Sequence, residues 1–405
     1  MLEPIAHIGR DPRTGGYLRD AWSAADLELR EWFSGEARRR GLDLREDRNG
    51  NLWAWWGSPS RERPGVVTGS HLDSVRQGGA YDGPLGVVSA FAALDLLRQR
   101  AVRPSVPVGV ACFSDEEGAR FGVPCMGSRL LTGVLAPERA LGLTDDDGDT
   151  LAEVLGRAGR APRELGRDEE TLATVGTFVE LHVEQGRGLV TEDRPVGVAA
   201  AIWPHGRWRF DFRGRADHAG TTRLADRDDP MVPFARMVLA AREEAERRGV
   251  VATVGKVRVS PGNANAIPGL VSAWLDARGP AERDVRDLVA ELARGAGAAG
   301  PESVRGADAG GAVEVREESW TPVVDFDVAL RDRLARVAGG DTPAPILPTG
   351  AGHDAGILAA AGIPSAMLFV RNPTGVSHSP GEHAERADCE AGVVALADVL
   401  EDLCR

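Results

Sequence analysis

Tyrosine and cysteine are scarce in this chain of 405 residues: two tyrosines, Tyr17 and Tyr81, and four cysteines, Cys112, Cys125, Cys389 and Cys404. No two cysteines have Cys-x-x-Cys spacing, so all four read as reduced, structural thiols of a cytoplasmic protein. With so little tyrosine, the nine tryptophans carry much of the aromatic packing. Excess positive charge is missing too: 48 Lys and Arg face 61 Asp and Glu, a formal charge of −13. No basic stripe offsets that balance, which argues against a nucleic-acid partner. No run of about 18 apolar residues exists, so no transmembrane helix and no membrane partner are expected. The opening "MLEPIAHIGRDPRTGGY" lacks a basic segment followed by an apolar one, so no signal peptide is expected either. What remains, 42% hydrophobic and 27% charged, is ordinary globular composition. The length is enough for two or three domains.

Residues 21–41 ("AWSAADLELREWFSGEARRRG") place apolar positions at helical spacing behind a capping Ser23. "NLWAWWG" alternates like a strand, "PGVVTGSHLDS" runs into a loop, "PLGVVSAFAALDLLRQR" reads as a helix, and "VPVGVACFSDEEG" as a buried strand ending in acids. That rhythm predicts an α/β domain with a largely parallel sheet, in which chemistry gathers at the carboxyl ends of the strands. The acid run 144–149 ("TDDDGD") lacks EF-hand spacing and is assigned to a solvated loop. From about Gly206 the pattern changes to a self-contained α+β unit, with helices near 229–249 and 280–296 and a Gly/Pro-rich distal loop at 295–311. The α/β character returns near Trp320 and ends in a helix at 387–403. The expected organisation is therefore 1–205 and 319–405 as one catalytic domain, with 206–318 inserted.

"GSHLDSVRQGGAYDG" (69–83) brings His71, Asp73 and Asp82 close together, and four further clusters repeat the theme: "SDEEGARFG", "ELHVEQG", "GHDAG" and "GVSHSPGEH". Buried imidazoles and carboxylates are costly without partners, so mutual pairing or metal binding is more economical than five separate accidents. His71, Asp82, Glu117, His182 and His378 form a nitrogen/oxygen set that suits zinc, and also manganese, cobalt or nickel. The set exceeds one four-coordinate site with an open position and matches two metals sharing a bridging carboxylate. Asp82, in a tight turn just before a helix, is the natural bridge.

These motifs, with "ADHAGTT", "NAIP" and "GAGHDAG" in the same order, give a chain that resembles the M20-type metallopeptidase-like amidohydrolases, which include allantoate amidohydrolases and N-carbamoyl-L-amino-acid hydrolases. The likeness spans nearly the whole chain. It implies a di-metal peptidase-like catalytic domain with an inserted α+β lid and dimerisation domain, two divalent ions per subunit (Zn or Mn), and a homodimer. By position, it implies that His71, Asp82, Glu117, His182 and His378 hold the metals and that Glu116 is the general base. Asp73 would orient the His71 imidazole. His218 would stabilise the oxyanion from the neighbouring subunit. Gln185, Asn265, Gly352 and His353 would contact substrate, and Arg278 would clamp its carboxylate. Two positions depart from many relatives, Arg223-Leu224 in place of Pro-Met and Asp217 in place of Asn. Neither touches a proposed metal ligand.

The function expected is metal-dependent hydrolysis of a ureido C–N bond in a small carboxylate, a bond other than a peptide bond, releasing ammonia and carbon dioxide. Allantoate, a compound of purine catabolism, is the favoured substrate, because Arg371 and Asn372 near His378 could serve a second ureido arm. N-carbamoyl-L-amino acids are the alternative. A metallo-aminopeptidase or dipeptidase would need a pocket for a free amine, whereas the clamp is built for an anion. A non-catalytic dimeric binding protein would have no reason to keep both base and ligands.

Overall fold

The apolar runs of the first half become strands of one sheet. The computed structural model describes residues 1–297 and 313–405, so the Gly/Pro-rich stretch expected as a loop at 295–311 lies, from 298 on, outside the described residues. The chain divides into two units, Met1–Ile202 with Asp325–Arg405, and Trp203–Val324.

In the first unit the strands are β1 (Asp43–Glu46), β2 (Leu52–Trp56), β3 (Gly65–His71), β4 (Val108–Phe113), β5 (Val175–Val183) and β6 (Val196–Ile202). After the second unit's β7 to β12 come β13 (Val324–Asp325), β14 (Ile346–Thr349) and β15 (Ser365–Val370). They hydrogen-bond in the order β1-β2-β4-β3-β5-β15-β6-β13, with β14 also on β6. β3 is parallel to β4 and β5, and β15 is parallel to β5. β2 lies antiparallel on β4, and β15 antiparallel on β6. Every residue of β3, β4 and β15 is buried, as expected of central strands covered on both faces. The two long helices Pro84–Gln99 and Arg386–Cys404 pack together beside them, burying Phe91, Leu94, Leu396 and Leu400 in one core. Each such side chain contributes about 2 kcal/mol by leaving water. The helix Ala24–Arg39 begins where its cap was expected, with Ser23 Oγ accepting the Asp26 N–H at 3.3 Å.

The acid run at 144–149 is a largely exposed loop, as expected, in which Asp145 pairs with Arg120, Asp146 with Arg76 and Asp149 with Arg157. All four cysteines are buried and unbridged. Among the described residues no helix is long and apolar enough to cross a membrane.

The second unit carries β7 (His205–Arg213), β8 (Asp217–His218), β9 (Val251–Ser260), β10 (Ala266–Ile267), β11 (Leu270–Arg278) and β12 (Val313–Thr321). Four of them form an antiparallel sheet in the order β12-β7-β11-β9, and β8 pairs with β10. The period-2 pattern of β7 and β11 sends Trp208, Phe210, Phe212, Val271 and Leu275 to one face, against helices Met231–Arg248 and Glu282–Gly295.

Candidate active site

The carboxyl ends of β3, β4 and β5 deliver the ligand-type side chains. His71 is the last residue of β3 and is 1% exposed; His182, the next-to-last residue of β5, is equally buried. Each spends Nδ1 on a main-chain carbonyl, His71 on Asp73 O at 3.1 Å and His182 on Val183 O at 2.8 Å. That fixes the ring orientations and leaves both Nε2 atoms without a hydrogen-bond partner. Orphaned Nε2 atoms beside carboxylates, with Nδ1 held by a carbonyl, are the arrangement of histidines that bind metal.

Asp82 joins two groups. Its Oδ1 lies 3.2 Å from His182 Nε2 and 3.8 Å from His71 Nε2. Its Oδ2 lies 3.4 Å from His378 Nε2, which is itself 3.6 Å from Glu117 Oε2. His71, Asp82 and His182 thus form one trio, and Asp82, Glu117 and His378 another, the candidate ligand atoms of each lying within 4.8 Å of one another. The turn before the helix Pro84–Gln99 makes this possible, because Gly83 has φ +83° and lies against His71, where a Cβ would come 2.3 Å from the ring. Any side chain there would displace the imidazole.

Asp73 touches both the His71 ring and the glutamate segment, with Oδ1 3.5 Å from His71 Nδ1. Its main-chain carbonyl holds His71, while its carboxylate accepts the N–H of Glu116 at 3.2 Å and of Glu117 at 3.0 Å. Its carboxylate therefore holds the backbone of the two glutamates while also lying beside the imidazole that its carbonyl binds. Glu116 is 6% exposed, with Oε2 3.5 Å from His71 Nε2.

In the chain by itself the electrostatics follow from crowding. Burial raises Glu116 well above the ordinary carboxylate range, and Asp354, Glu117 and Asp73 add to it. Burial and the neighbouring Asp82 push Glu117 to about 7. Burial opposes ionisation of Asp82, yet the adjacent His182 and His378 imidazoles hold it well below its usual value. The neighbouring Asp82 lifts His378 to about 9. Carboxyl groups crowded this closely would each ionise more readily beside a cation.

Gln185 reaches the same centre: its Nε2 donates to Asp82 Oδ2 at 2.8 Å and to Ser377 Oγ at 3.3 Å. His353, preceded by Gly352, is buried with its ring centroid 4.5 Å from that of His182 and its Nε2 unpartnered. Burial and His182 keep His353 neutral, well below its ordinary value.

The remaining three expected site residues belong to the second unit. His218 Nδ1 accepts the N–H groups of Gly220 at 3.0 Å and Thr221 at 3.2 Å, which leaves the ring proton of the neutral form on Nε2. Asn265 adjoins it, its carbonyl accepting the Ala219 N–H at 3.1 Å. Arg278 ends β11 with Nε and Nη2 on the two oxygens of Asp276, at 2.6 and 3.0 Å.

Arg371 and Asn372 are used elsewhere. Arg371 is bound by both oxygens of Asp388 and by Asp193, and Asn372 holds the turn at Thr374 and Gly375. Both are therefore committed to the protein's own groups. Three polar residues of the centre, Glu180, Ser377 and Glu382, go unnoticed in the sequence; Asp354, read there as a support for His353, joins them. Glu180 takes Ser70 Oγ and the Ala355 N–H, and Asp354 takes Ser128 Oγ. Ser377 donates to Asp82 at 3.0 Å, and Glu382 is pushed to about 8 by burial and Asp82. Glu180 could have been found, since it precedes His182 by two on one strand and so shares its face.

Imidazoles and carboxylates gathered at the strand ends of a mostly parallel α/β sheet define a metal-dependent hydrolase centre. The chain belongs to the peptidase family M20/M25/M40, whose family model matches residues 67–402. It is 37% identical over 413 residues to the N-carbamoyl-L-amino acid amidohydrolase of Geobacillus stearothermophilus, covering 100% of this chain and 97% of that one. It is 30% identical over 406 residues to the allantoate amidohydrolase of Escherichia coli K12, covering 98% and 95%. Among solved structures, an amidase of the hydantoinase/carbamoylase family from Burkholderia vietnamiensis superposes with a TM-score of 0.87 at 30% identity, covering 100% and 95%. The protein is a hydrolase of C–N bonds other than peptide bonds, in a family that uses divalent metals.

Proposed function

We propose that the protein hydrolyses the ureido C–N bond of a small carboxylate, with N-carbamoyl-L-amino acids as substrate, in the cytoplasm and as a homodimer. The observation that carries the reading is the meeting of two ligand trios at Asp82, one oxygen to each. That donor set fits two divalent ions, Zn or Mn, held by His71, His182, Glu117 and His378 with Asp82 between them. When bound, such ions lower the pKa of a water and polarise a carbonyl.

The chain's own residues supply the rest. Glu116 takes the proton of the attacking water on Oε2 and returns it to the departing nitrogen. His218, from the second copy of the dimer, donates from Nε2 to the oxyanion. Arg278, its plane set by Asp276, meets the substrate carboxylate, and Gln185, Asn265, Gly352 and His353 line the substrate's path. The first unit is the catalytic domain in this reading and the second the lid and dimerisation domain.

Allantoate was favoured on the strength of Arg371 and Asn372. Their engagement by Asp388, Asp193 and the 374–375 turn removes that support, and the higher identity to an N-carbamoyl-L-amino acid amidohydrolase favours the alternative. The test is ammonia release from N-carbamoyl-L-amino acids, allantoate and dipeptides, before and after chelation and metal return. Turnover of N-carbamoyl amino acids should vanish on chelation and come back with Mn²⁺ or Zn²⁺. Preference for allantoate would change the substrate alone. Full turnover without metal, or cleavage of dipeptides only, would overturn the reading.

A further inference from the structure

Glu116 has two carboxyl oxygens with different neighbours. Oε2 faces His71 Nε2 at 3.5 Å, whereas Oε1 lies 3.3 Å from the sulfur of Cys125. The thiol is 2% exposed and the carboxyl 6%, so neither contact competes with bulk water. Burial also pushes the Cys125 thiol well above its ordinary range, so it stays protonated and acts as the donor.

The backbone holds this contact in place. The segment 114–117 is laced to the start of the helix Met126–Thr132 by three main-chain bonds: Cys125 N–H to Glu116 O at 2.5 Å, Met126 N–H to Asp115 O at 2.9 Å and Gly127 N–H to Ser114 O at 2.9 Å. Cys125 itself has φ +53°, a left-handed conformation uncommon for a residue with a side chain. The other thiol contacts are of a different kind, Cys112 to Phe113 O at 4.0 Å and Cys404 to Glu401 O at 3.8 Å, both long and both to carbonyls close in sequence.

We propose that Cys125 is a positioning residue for the base, its thiol holding Glu116 Oε1 so that Oε2 is presented to the ligand cluster. The inference rests on the reading of Glu116 as general base. Oε1 and Oε2 of Glu116 thus face different neighbours, the Cys125 sulfur and the His71 ring. A buried donor on one oxygen restricts the rotation that would carry the other away from the cluster.

The experiment compares Cys125→Ser and Cys125→Ala in the full-length, metal-reconstituted protein. Both meet the same left-handed backbone, so the comparison isolates the side-chain head. Alanine should lower kcat about tenfold, the effect of a modest hydrogen bond to a charged group, with KM and metal content unchanged. Serine, which keeps a donor, should stay near the starting kcat. On a Glu116→Gln background the alanine should add nothing further. If alanine lowers the melting point, both variants are compared well below its unfolding onset, where each is fully folded. Unchanged kcat in the alanine variant, equal losses for serine and alanine, or full additivity with Glu116→Gln would each overturn the proposal. Intact turnover in Glu116→Gln alone would instead overturn the general-base reading, independently of Cys125.

Discussion

Asp73 and Glu116 show how much can hang on single atoms. Asp73 gives its carbonyl to an imidazole and its carboxylate to two successive backbone N–H groups, so it places the proposed ligand His71 and the proposed base Glu116 at once. Glu116→Gln keeps that geometry but cannot accept a proton; turnover should fall by ~10² to 10⁴ while metal analysis stays normal. Loss of metal as well would exchange the roles of Glu116 and Glu117. Arg278→Lys should raise KM strongly for carboxylate substrates, since a charge-assisted pair is worth ~2 to 5 kcal/mol and lysine lacks the planar fork. An unchanged KM would remove Arg278 from the substrate's path. Asp26, fully buried, offers a pH test away from the metal ligands. Burial raises its pKa from 3.8 to about 6 against the pull of Arg30. Between those values the folded chain holds a proton that the unfolded chain has lost, so this group's stabilisation is present at low pH and disappears as pH rises toward 6. Asp26→Asn should therefore gain stability relative to wild type from about pH 4 to about pH 6, by up to roughly 3 kcal/mol, read as a widening difference in melting temperature. A pH-independent difference would mean that Asp26 ionises normally in the fold.

At the scale of elements, the turn before the helix Pro84–Gln99 sets how closely that helix approaches the imidazole. Gly83→Ala puts a Cβ where the His71 ring lies. Metal affinity should drop about 10- to 100-fold, the usual effect of disturbing a ligand's support, as read by metal titration, with melting temperature less affected. Normal metal affinity would show that the turn can yield. The same elements show what could be read in advance. His71, Asp82, Glu117, His182 and His378 stood out because each follows an apolar strand or sits among glycines, which are local signals. The helices Ala24–Arg39, Pro84–Gln99 and Arg386–Cys404 were visible from 3.6-residue periodicity and a cap. The antiparallel placement of β2 on β4, and of β15 on β6, was not, because strand direction depends on connections rather than on residue pattern. Glu382 and Cys125 are hidden for a related reason, since their significance comes from neighbours remote in the chain. For Arg371, sequence proximity to His378 does not reveal the Asp388 that binds the guanidinium.

For the whole molecule, the proposed dimer makes a prediction that single-site variants cannot. His218→Ala and Glu116→Gln chains, each inactive alone, should regain part of the activity when mixed, because every mixed dimer would contain one site with both residues intact. Mass-labelled chains would verify exchange. Absence of rescue despite exchange would place His218 in its own chain's chemistry or outside it.

The strand order has a consequence for biosynthesis. β15 lies between β5 and β6, yet the ribosome makes it about 160 residues after β6, and His378 emerges later still. A nascent chain halted before residue 365 already carries His71, Asp82, Glu117 and His182, but the edges of β5 and β6 stand open and the second trio is one member short. Open edges of buried strands invite pairing with other chains. Prematurely terminated products should therefore aggregate or be degraded, and on the proposed two-ion reading tight capture of a second ion would mark a chain translated at least through His378.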